Sequence, residues 1–331
     1  MRALLLSDSQ KPALQLVNAP DPIPEPGEVL VRISHLGLCA TDMGFIEWAP
    51  NFIAQYETPL PHAIGHEMSG RVIKIGRGVD DALLGARVAV NPHLHCKVCV
   101  NCLQGLENMC LDRPILGCHI WGGAAELVRI RAENVYVLPA SVELSLGALV
   151  EPICVALHAI SRLETREDEE ICIIGAGTIG TLCALILKAQ GRESFLLGVA
   201  GDEKRIEFAR RSAIRSGISY DGRPTSVIEA AGAESAVRRA ITQVRDGGNI
   251  VLLGLPHHEI QLDFAMVTFK SLTMTGSRGY TPATWKAAIE LLEVSPGTFD
   301  GVVGAVFQLE DWNSALEQVQ SRAHLKVQLA H

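Results

Sequence analysis

This chain has no basic excess. Its 331 residues carry 29 lysines and arginines against 37 aspartates and glutamates, a formal net charge of −8. That leaves no cationic footprint for nucleic acid or for an anionic membrane surface. No apolar run approaches the ~20 residues that span a bilayer. The stretch from Ala3 to Leu6 is shorter than the apolar core of a secretory signal and runs straight into Ser7 and Asp8, so a cytoplasmic protein is expected. Internal repeats and low-complexity linkers are missing too. A disulfide framework is not expected either: there are nine cysteines, an odd number, clustered rather than scattered. Without an export signal, that pattern argues for metal ligands and reduced core thiols.

What is present suits two domains, each with its own core, since the chain is long and 48% hydrophobic. It is organised around Ile171-Cys172-Ile173-Ile174-Gly175-Ala176-Gly177-Thr178-Ile179-Gly180. A short apolar run enters G-x-G-x-x-G and an Ala- and Leu-rich helical run leaves it, which reads as strand, tight turn, helix. Gly175 permits the turn, Gly177 lets backbone approach a pyrophosphate, and Gly180 lets helix and strand pack closely. The N–H groups opening the helix, at Thr178 and Ile179, would hold phosphates. Alone the pattern is weak, but between a strand and a helix it points to a bound dinucleotide. From 171 to about 280 strand-like segments (194–199, 226–229, 249–254, 271–276) alternate with helical ones (203–212, 234–244), implying a doubly wound parallel sheet. Helices at 281–294 and 310–321 and a strand at 325–329 close the chain.

Before the turn, short Val- and Ile-rich segments near residue 4 and at 29–38, 68–75, 86–91, 124–130 and 134–138 read as an irregular β-barrel-like domain. A helical run at 145–160 leads out of it. Within it, Cys96-x-x-Cys99-x-x-Cys102-x7-Cys110 sets four thiols in one polar loop. Four thiolates suit tetrahedral zinc, and a closed shell leaves no position for substrate, so the role is structural. An iron–sulfur cluster uses similar spacing, but the trailing proline and second cluster are absent. A second set is dispersed: Cys39-Ala40-Thr41-Asp42, Gly65-His66-Glu67 and Glu151-Pro152. These are the ligand types of catalytic zinc. Each taken singly is more often a core thiol, a satisfied polar histidine or a surface acid.

Taken together, GHE at 65–67, C-x-T-D at 39–42, the four-cysteine loop, Glu-Pro at 151–152 and GAGTIG resemble the zinc-dependent medium-chain alcohol dehydrogenases. Glu67 and Glu151 point to the polyol (sorbitol-like) and threonine dehydrogenase branch. The resemblance implies an α/β protein: a GroES-like β-barrel catalytic domain over 1–153, with a structural zinc loop at 93–112, and a Rossmann domain with a doubly wound parallel sheet over 154–281. A segment over 282–331 would return to the catalytic domain. It further implies two zinc ions. Cys39, His66 and Glu67 would bind the catalytic one, with Glu151 exchanging or acting through water, and Cys96, Cys99, Cys102 and Cys110 would bind the structural one. Such a zinc lowers the pKa of a bound hydroxyl while the nicotinamide accepts hydride. Thr41 would pass on the hydroxyl proton, or else cap a helix. Asp42 would support the zinc shell, with a hydrogen bond to His66. Arg205, Gly254 and Ser277 would line the cofactor, the last two being equally at home in plain turns.

Three departures stand out. Gly44 replaces the histidine that extends the proton relay in many relatives. Ala200 stands where an acid binds the adenosine ribose, so NAD and NADP both remain open, with Lys204 and Arg205 able to meet a 2′-phosphate. The segment 211–226 is short, leaving 218–224 to supply only a remnant of the third strand and helix. Phe45, Trp48 and Trp121 are either substrate-facing or core aromatics. Cys118, Cys154, Cys172 and Cys183 read as packing thiols, and neither His93 nor His95 as a ligand. The expected activity is oxidation of a polyol, sugar alcohol or other secondary alcohol, a small-molecule substrate. Threonine-type oxidation, or a non-catalytic zinc-stabilised dinucleotide-binding protein, is the alternative. The strand at 271–276 would pair across a homodimer or homotetramer.

Overall fold

The computed structural model describes residues 1–7, 13–49, 56–164, 169–256 and 258–331. They form two compact units. One comprises Met1–Glu151, Trp285–Pro296 and Gly301–His331; the other comprises Pro152–Thr284 with Gly297–Asp300.

The first unit is built on the 11-residue strand Glu28–Leu38. Its N-terminal half pairs antiparallel with Leu127–Arg131, its C-terminal half with Lys326–Ala330, and its other edge with Glu67–Ile75. One long strand serves two neighbours on the same edge because they pair with different stretches of it, residues 28–32 and 35–38. The sheet continues through Arg87–Val90 to Val135–Val137 on one side and reaches Val303–Gln308 on the other. Val29, Val31, Ile33, Leu36, Met68, Val72, Val88, Val90, Val327 and Leu329 fill its interior. A smaller sheet of Leu14–Asn18, Arg2–Leu6 and His62–Ala63 completes the unit.

In the second unit six parallel strands lie in the order Arg215–Gly217, Ser194–Leu197, Ile171–Ile174, Ser226–Glu229, Asn249–Leu252, Thr273–Gly276. Numbered along the chain this is 3-2-1-4-5-6, the dinucleotide-binding order, with its reversal between Ile171–Ile174 and Ser226–Glu229. Cys172, Ile174, Val227 and Ile250 pack under the helix Glu234–Gln243.

Several sequence expectations shift. The third strand survives as the three residues Arg215–Gly217, just ahead of the expected remnant. Residues 218–225 then run as irregular chain, with Tyr220 stacked on Phe195 at 4.5 Å. The helical run at 145–160 is two helices, Leu144–Gly147 and Val150–Ser161. Residues 122–124 are no part of a strand but bond to the backbone of 63–65. The strand Val303–Gln308 and the helix Phe264–Phe269 carry no clear periodic signal: one alternates only between exposed and half-buried positions, and the other has no fully buried residue. Among the described residues no helix is long and apolar enough to cross a membrane.

Candidate active site

The strand Glu28–Leu38 delivers the chain to Cys39, which caps the helix Ala40–Ile46. Thr41 N donates to Cys39 Sγ at 3.2 Å, and Cys39 N donates to Asp42 Oδ2 at 2.9 Å. A thiol is an unusual cap, and it holds the sulfur at the helix's positive end. The capping residue is therefore Cys39 and not Thr41. Asp42 Oδ1 accepts from Gly65 N at 3.1 Å, tying this helix to the residue before His66. Against expectation, Asp42 makes no hydrogen bond to His66; His66 Nδ1 stands 3.7 Å from Asp42 Oδ1.

Cys39 Sγ lies 3.2 Å from His66 Nε2. Ligand-type atoms of Cys39, Asp42 and His66 fall within 4.8 Å of one another, as do those of His66, Glu67 and Glu151. His66, Glu67 and Glu151 are all buried. A half-buried thiol with a buried imidazole and two buried carboxylates around it fits a zinc ion, and no apolar packing role calls for that donor set. Burial alone would depress the His66 pKa, but the Cys39 sulfur and Asp42 carboxylate outweigh it and raise it well above the ordinary value. Burial raises Asp42, with the His66 charge opposing.

Two residues that sequence reasoning missed complete the cluster. Lys326, 2% exposed, lies 2.7 Å from both carboxylate oxygens of Glu67 and donates to the Leu38 carbonyl at 3.0 Å. Its burial would lower its pKa, yet the Glu67 charge prevails and raises it. Gly37 pairs with Glu67 across the sheet, and a Cβ there would fall 2.0 Å from Glu67 Oε2. Gly37 is thus the room Glu67 occupies.

In the cysteine loop, Cys96, Cys99, Cys102 and Cys110 bring their sulfurs within 4.8 Å of one another. Four sulfurs ~2.3 Å from one zinc stand ~3.8 Å apart, and the pairs Cys96–Cys102 and Cys99–Cys110 are 4.0 and 3.9 Å. Backbone N–H groups of Cys96 and Cys99 point at Cys110 Sγ and Cys96 Sγ, each at 3.3 Å. The arrangement fits structural zinc. His93 and His95 are buried outside that thiol set. Cys118, Cys154, Cys172 and Cys183 are buried and in no disulfide, and burial pushes Cys118, Cys172 and Cys183 up to about 12.

In the second unit Gly175 has φ +115°, open to glycine but strained for other residues. A Cβ at Gly180 would lie 2.0 Å from the Gly175 carbonyl oxygen, while nothing lies within 4 Å of one at Gly177. Gly177 therefore leaves an open approach to the start of the helix Thr178–Ala189. These features fit a dinucleotide pyrophosphate. Where the ribose acid is missing, Ala200 is exposed and Asp202 turns back to accept from Val199 N at 3.1 Å. Arg205 Nη1 stands 3.6 Å from Asp202 Oδ1. Gly254 packs on Gly232, and Ser277 N donates to the Leu252 carbonyl at 2.9 Å. Of the three aromatics weighed for the substrate, Phe45 is wholly buried, Trp48 packs against the core, and Trp121 donates to the Pro61 carbonyl at 3.0 Å.

Residues 25–140 match the alcohol dehydrogenase GroES-like domain, and residues 178–294 the zinc-binding dehydrogenase domain. A sorbitol dehydrogenase of Halalkalibacterium halodurans is 28% identical over 99% of each chain. An L-threonine 3-dehydrogenase of Saccharopolyspora erythraea is 31% identical over 88% of each. An Escherichia coli CFT073 protein described as a short chain alcohol dehydrogenase, solved with NADH, has a TM-score of 0.88 at 25% identity, with 100% of this chain and 99% of that one covered.

Proposed function

The chain belongs to the zinc-dependent medium-chain alcohol dehydrogenases, oxidoreductases of CH–OH groups, and we propose that it oxidises a polyol, sugar alcohol or other secondary alcohol to the ketone. The observation that carries this reading is that buried His66 is shared by two ligand groups, one with the half-buried Cys39 and one with the buried Glu67 and Glu151. A scaffold that merely bound a dinucleotide would have no use for that donor set. Zinc held by Cys39, His66 and Glu67, with Glu151 exchanging, would supply Lewis acidity toward the substrate hydroxyl, and NAD or NADP would take up the hydride.

The chain's own residues supply the rest. Asp42 fixes the backbone at both Cys39 and Gly65, so the thiol and imidazole keep their spacing. Lys326 balances the Glu67 charge, which allows a second carboxylate, Glu151, to share the site. Thr41, at the helix start beside Cys39, takes the hydroxyl proton and passes it to water, because Gly44 offers no side chain. The turn of Gly175, Gly177 and Gly180 presents the N–H groups of Thr178 and Ile179 to the pyrophosphate, and Arg205, Gly254 and Ser277 border the remainder. With Ala200 in place of the acid, neither dinucleotide is rejected.

The domain reading follows the family: catalytic over 1–153 with its zinc loop at 93–112, Rossmann over 154–281, and a closing segment over 282–331. Nine free cysteines suit a reducing cytoplasm. The edge strand Thr273–Gly276, with a single partner among the described residues, supports a homodimer or homotetramer. A threonine-type substrate is the second reading, favoured by the 31% identity to a threonine dehydrogenase.

Nicotinamide absorbance with zinc-loaded protein over polyols, secondary alcohols and threonine, with each dinucleotide, tests the proposal. Turnover that falls to background in Cys39→Ser is expected. Silence across the panel, with two zinc ions per chain assayed, would sink it.

A further inference from the structure

Glu229 ends the fourth strand of the parallel sheet, beside the first strand at the point where strand order reverses. The residue is 0% exposed. Its Oε1 accepts N–H bonds from Ala231 and Gly232, each at 2.9 Å. Its main-chain carbonyl accepts from Leu253 and Gly254, also at 2.9 Å. The loops so joined are locked together. A Cβ at Gly254 would fall 2.1 Å from Gly232 N and 2.8 Å from Glu229 Oε2, and one at Gly232 would fall 2.6 Å from the Leu255 oxygen. On the opposite side, a Cβ at Gly175 would meet the backbone of Ala230 and Ala231 at 3.0 Å. The Glu229 carboxyl group thus holds the loop after the fourth strand, its main-chain carbonyl holds the loop after the fifth, which also passes close to Oε2, and the loop so shaped packs against Gly175 after the first strand.

Burying a carboxylate is costly unless its oxygens are hydrogen-bonded, and an apolar side chain would pack here without that cost. What the acid supplies is Oε1, which accepts two backbone N–H groups of the loop that follows it, while Oε2 lies buried beside Gly254 with no hydrogen bond among the described residues. Burial raises its pKa while the amides of Ala231, Gly232 and Gly254 oppose the shift. In a sheet of this order the adenosine ribose lies at the end of the second strand and the pyrophosphate at the first. The other half of a dinucleotide then falls over the ends of strands four to six. Those are the loops that Glu229 holds.

Resting on the dinucleotide site proposed above, we propose that Glu229 is a positioning residue for the nicotinamide half of the cofactor, setting residues 230–233 and 253–256 against the glycine turn while leaving the adenosine half untouched. Glu229→Gln keeps the size and one acceptor but turns an amide N–H toward Gly254. Calorimetric titration of the full chain, wild type and variant, with NAD, NADH and ADP-ribose (or their 2′-phosphorylated counterparts) reads the effect. The Kd for both dinucleotides should rise about tenfold, as for a lost charge-assisted hydrogen bond, and that for ADP-ribose should stay within about twofold. Equal weakening of all three ligands would reduce Glu229 to a fold residue, and no weakening of any would remove its role; either overturns the inference. If Glu229→Gln does not fold, Glu229→Asp, which keeps the charge but shortens its reach, should show the same selective loss. Wild-type protein that binds no dinucleotide would instead overturn the site itself, and this inference with it.

Discussion

Glu67 is held from two sides, by the absence of a side chain at Gly37 and by the ammonium of Lys326. Both charged partners are 2% exposed, so their value lies in not leaving either alone. Removing one partner of such a pair costs about 3–5 kcal/mol, because the other stays buried and uncompensated. Lys326→Met should therefore lower the unfolding free energy from urea titration by that order, and adding Glu67→Gln should restore part of it; an unchanged single variant would show that water already screens the pair. His62 offers a pH test. It is 0% exposed and burial lowers its pKa from 6.5 to about 4, so the folded chain keeps it neutral where the unfolded chain is protonated. Stability is then intact above pH 6.5 and falls as pH drops from 6.5 toward 4, by roughly 3 kcal/mol from this residue. Denaturation curves across that window should be flatter for His62→Gln. Neither residue was singled out from sequence. A lone lysine in a strand near the C-terminus and a lone histidine after a proline carry no local mark of burial.

The cysteine loop is an element whose stability rests on chemistry more than packing. Val98, Val100, Leu103, Leu106, Met109 and Leu111 are all exposed, so the helix Val100–Leu103 and the turn Glu107–Met109 have almost no apolar core beneath them. A metal bound there would supply most of the folding energy, about 10 kcal/mol or more in small zinc modules. Stripping zinc with a strong chelator should open the loop to limited proteolysis first, with cuts inside 96–112. Cuts spread evenly along the chain would mean the loop folds without metal. The gathering of the four thiols was legible in the sequence because they lie within a single turn-rich segment. The third strand of the parallel sheet was legible only in part. Its shortening could be counted, but its place at Arg215–Gly217 is decided by pairing with Ser194–Leu197 and by Tyr220 stacking over Phe195.

For the whole molecule, the edge strand Thr273–Gly276 is exposed or half-buried and has one edge unpaired among the described residues, a ladder that proteins cover or pair. Sedimentation should give the mass of two or four 35.7 kDa chains, and a monomer at micromolar concentration would refute the assembly. The two-part architecture and the dinucleotide turn could be read directly from the chain, since alternating strands and helices and a glycine that must take φ +115° are local requirements. The four-thiol loop is local in the same sense. The candidate active site is different. Cys39 and His66 are 27 residues apart, and Lys326 is 259 residues from Glu67. Residue types alone gave these a shared site only through resemblance, and gave Lys326 and Glu229 nothing. What brings them together is register: Gly37 lies opposite Glu67 on one side and Gln328 on the other, and slipping either pairing by one residue would turn the carboxylate or the ammonium to the opposite face. Sequence by itself determined which candidate ligands exist and which turns can form. Tertiary structure alone decided which buried charges face each other, because long-range strand pairing leaves no periodic trace in the residues it joins.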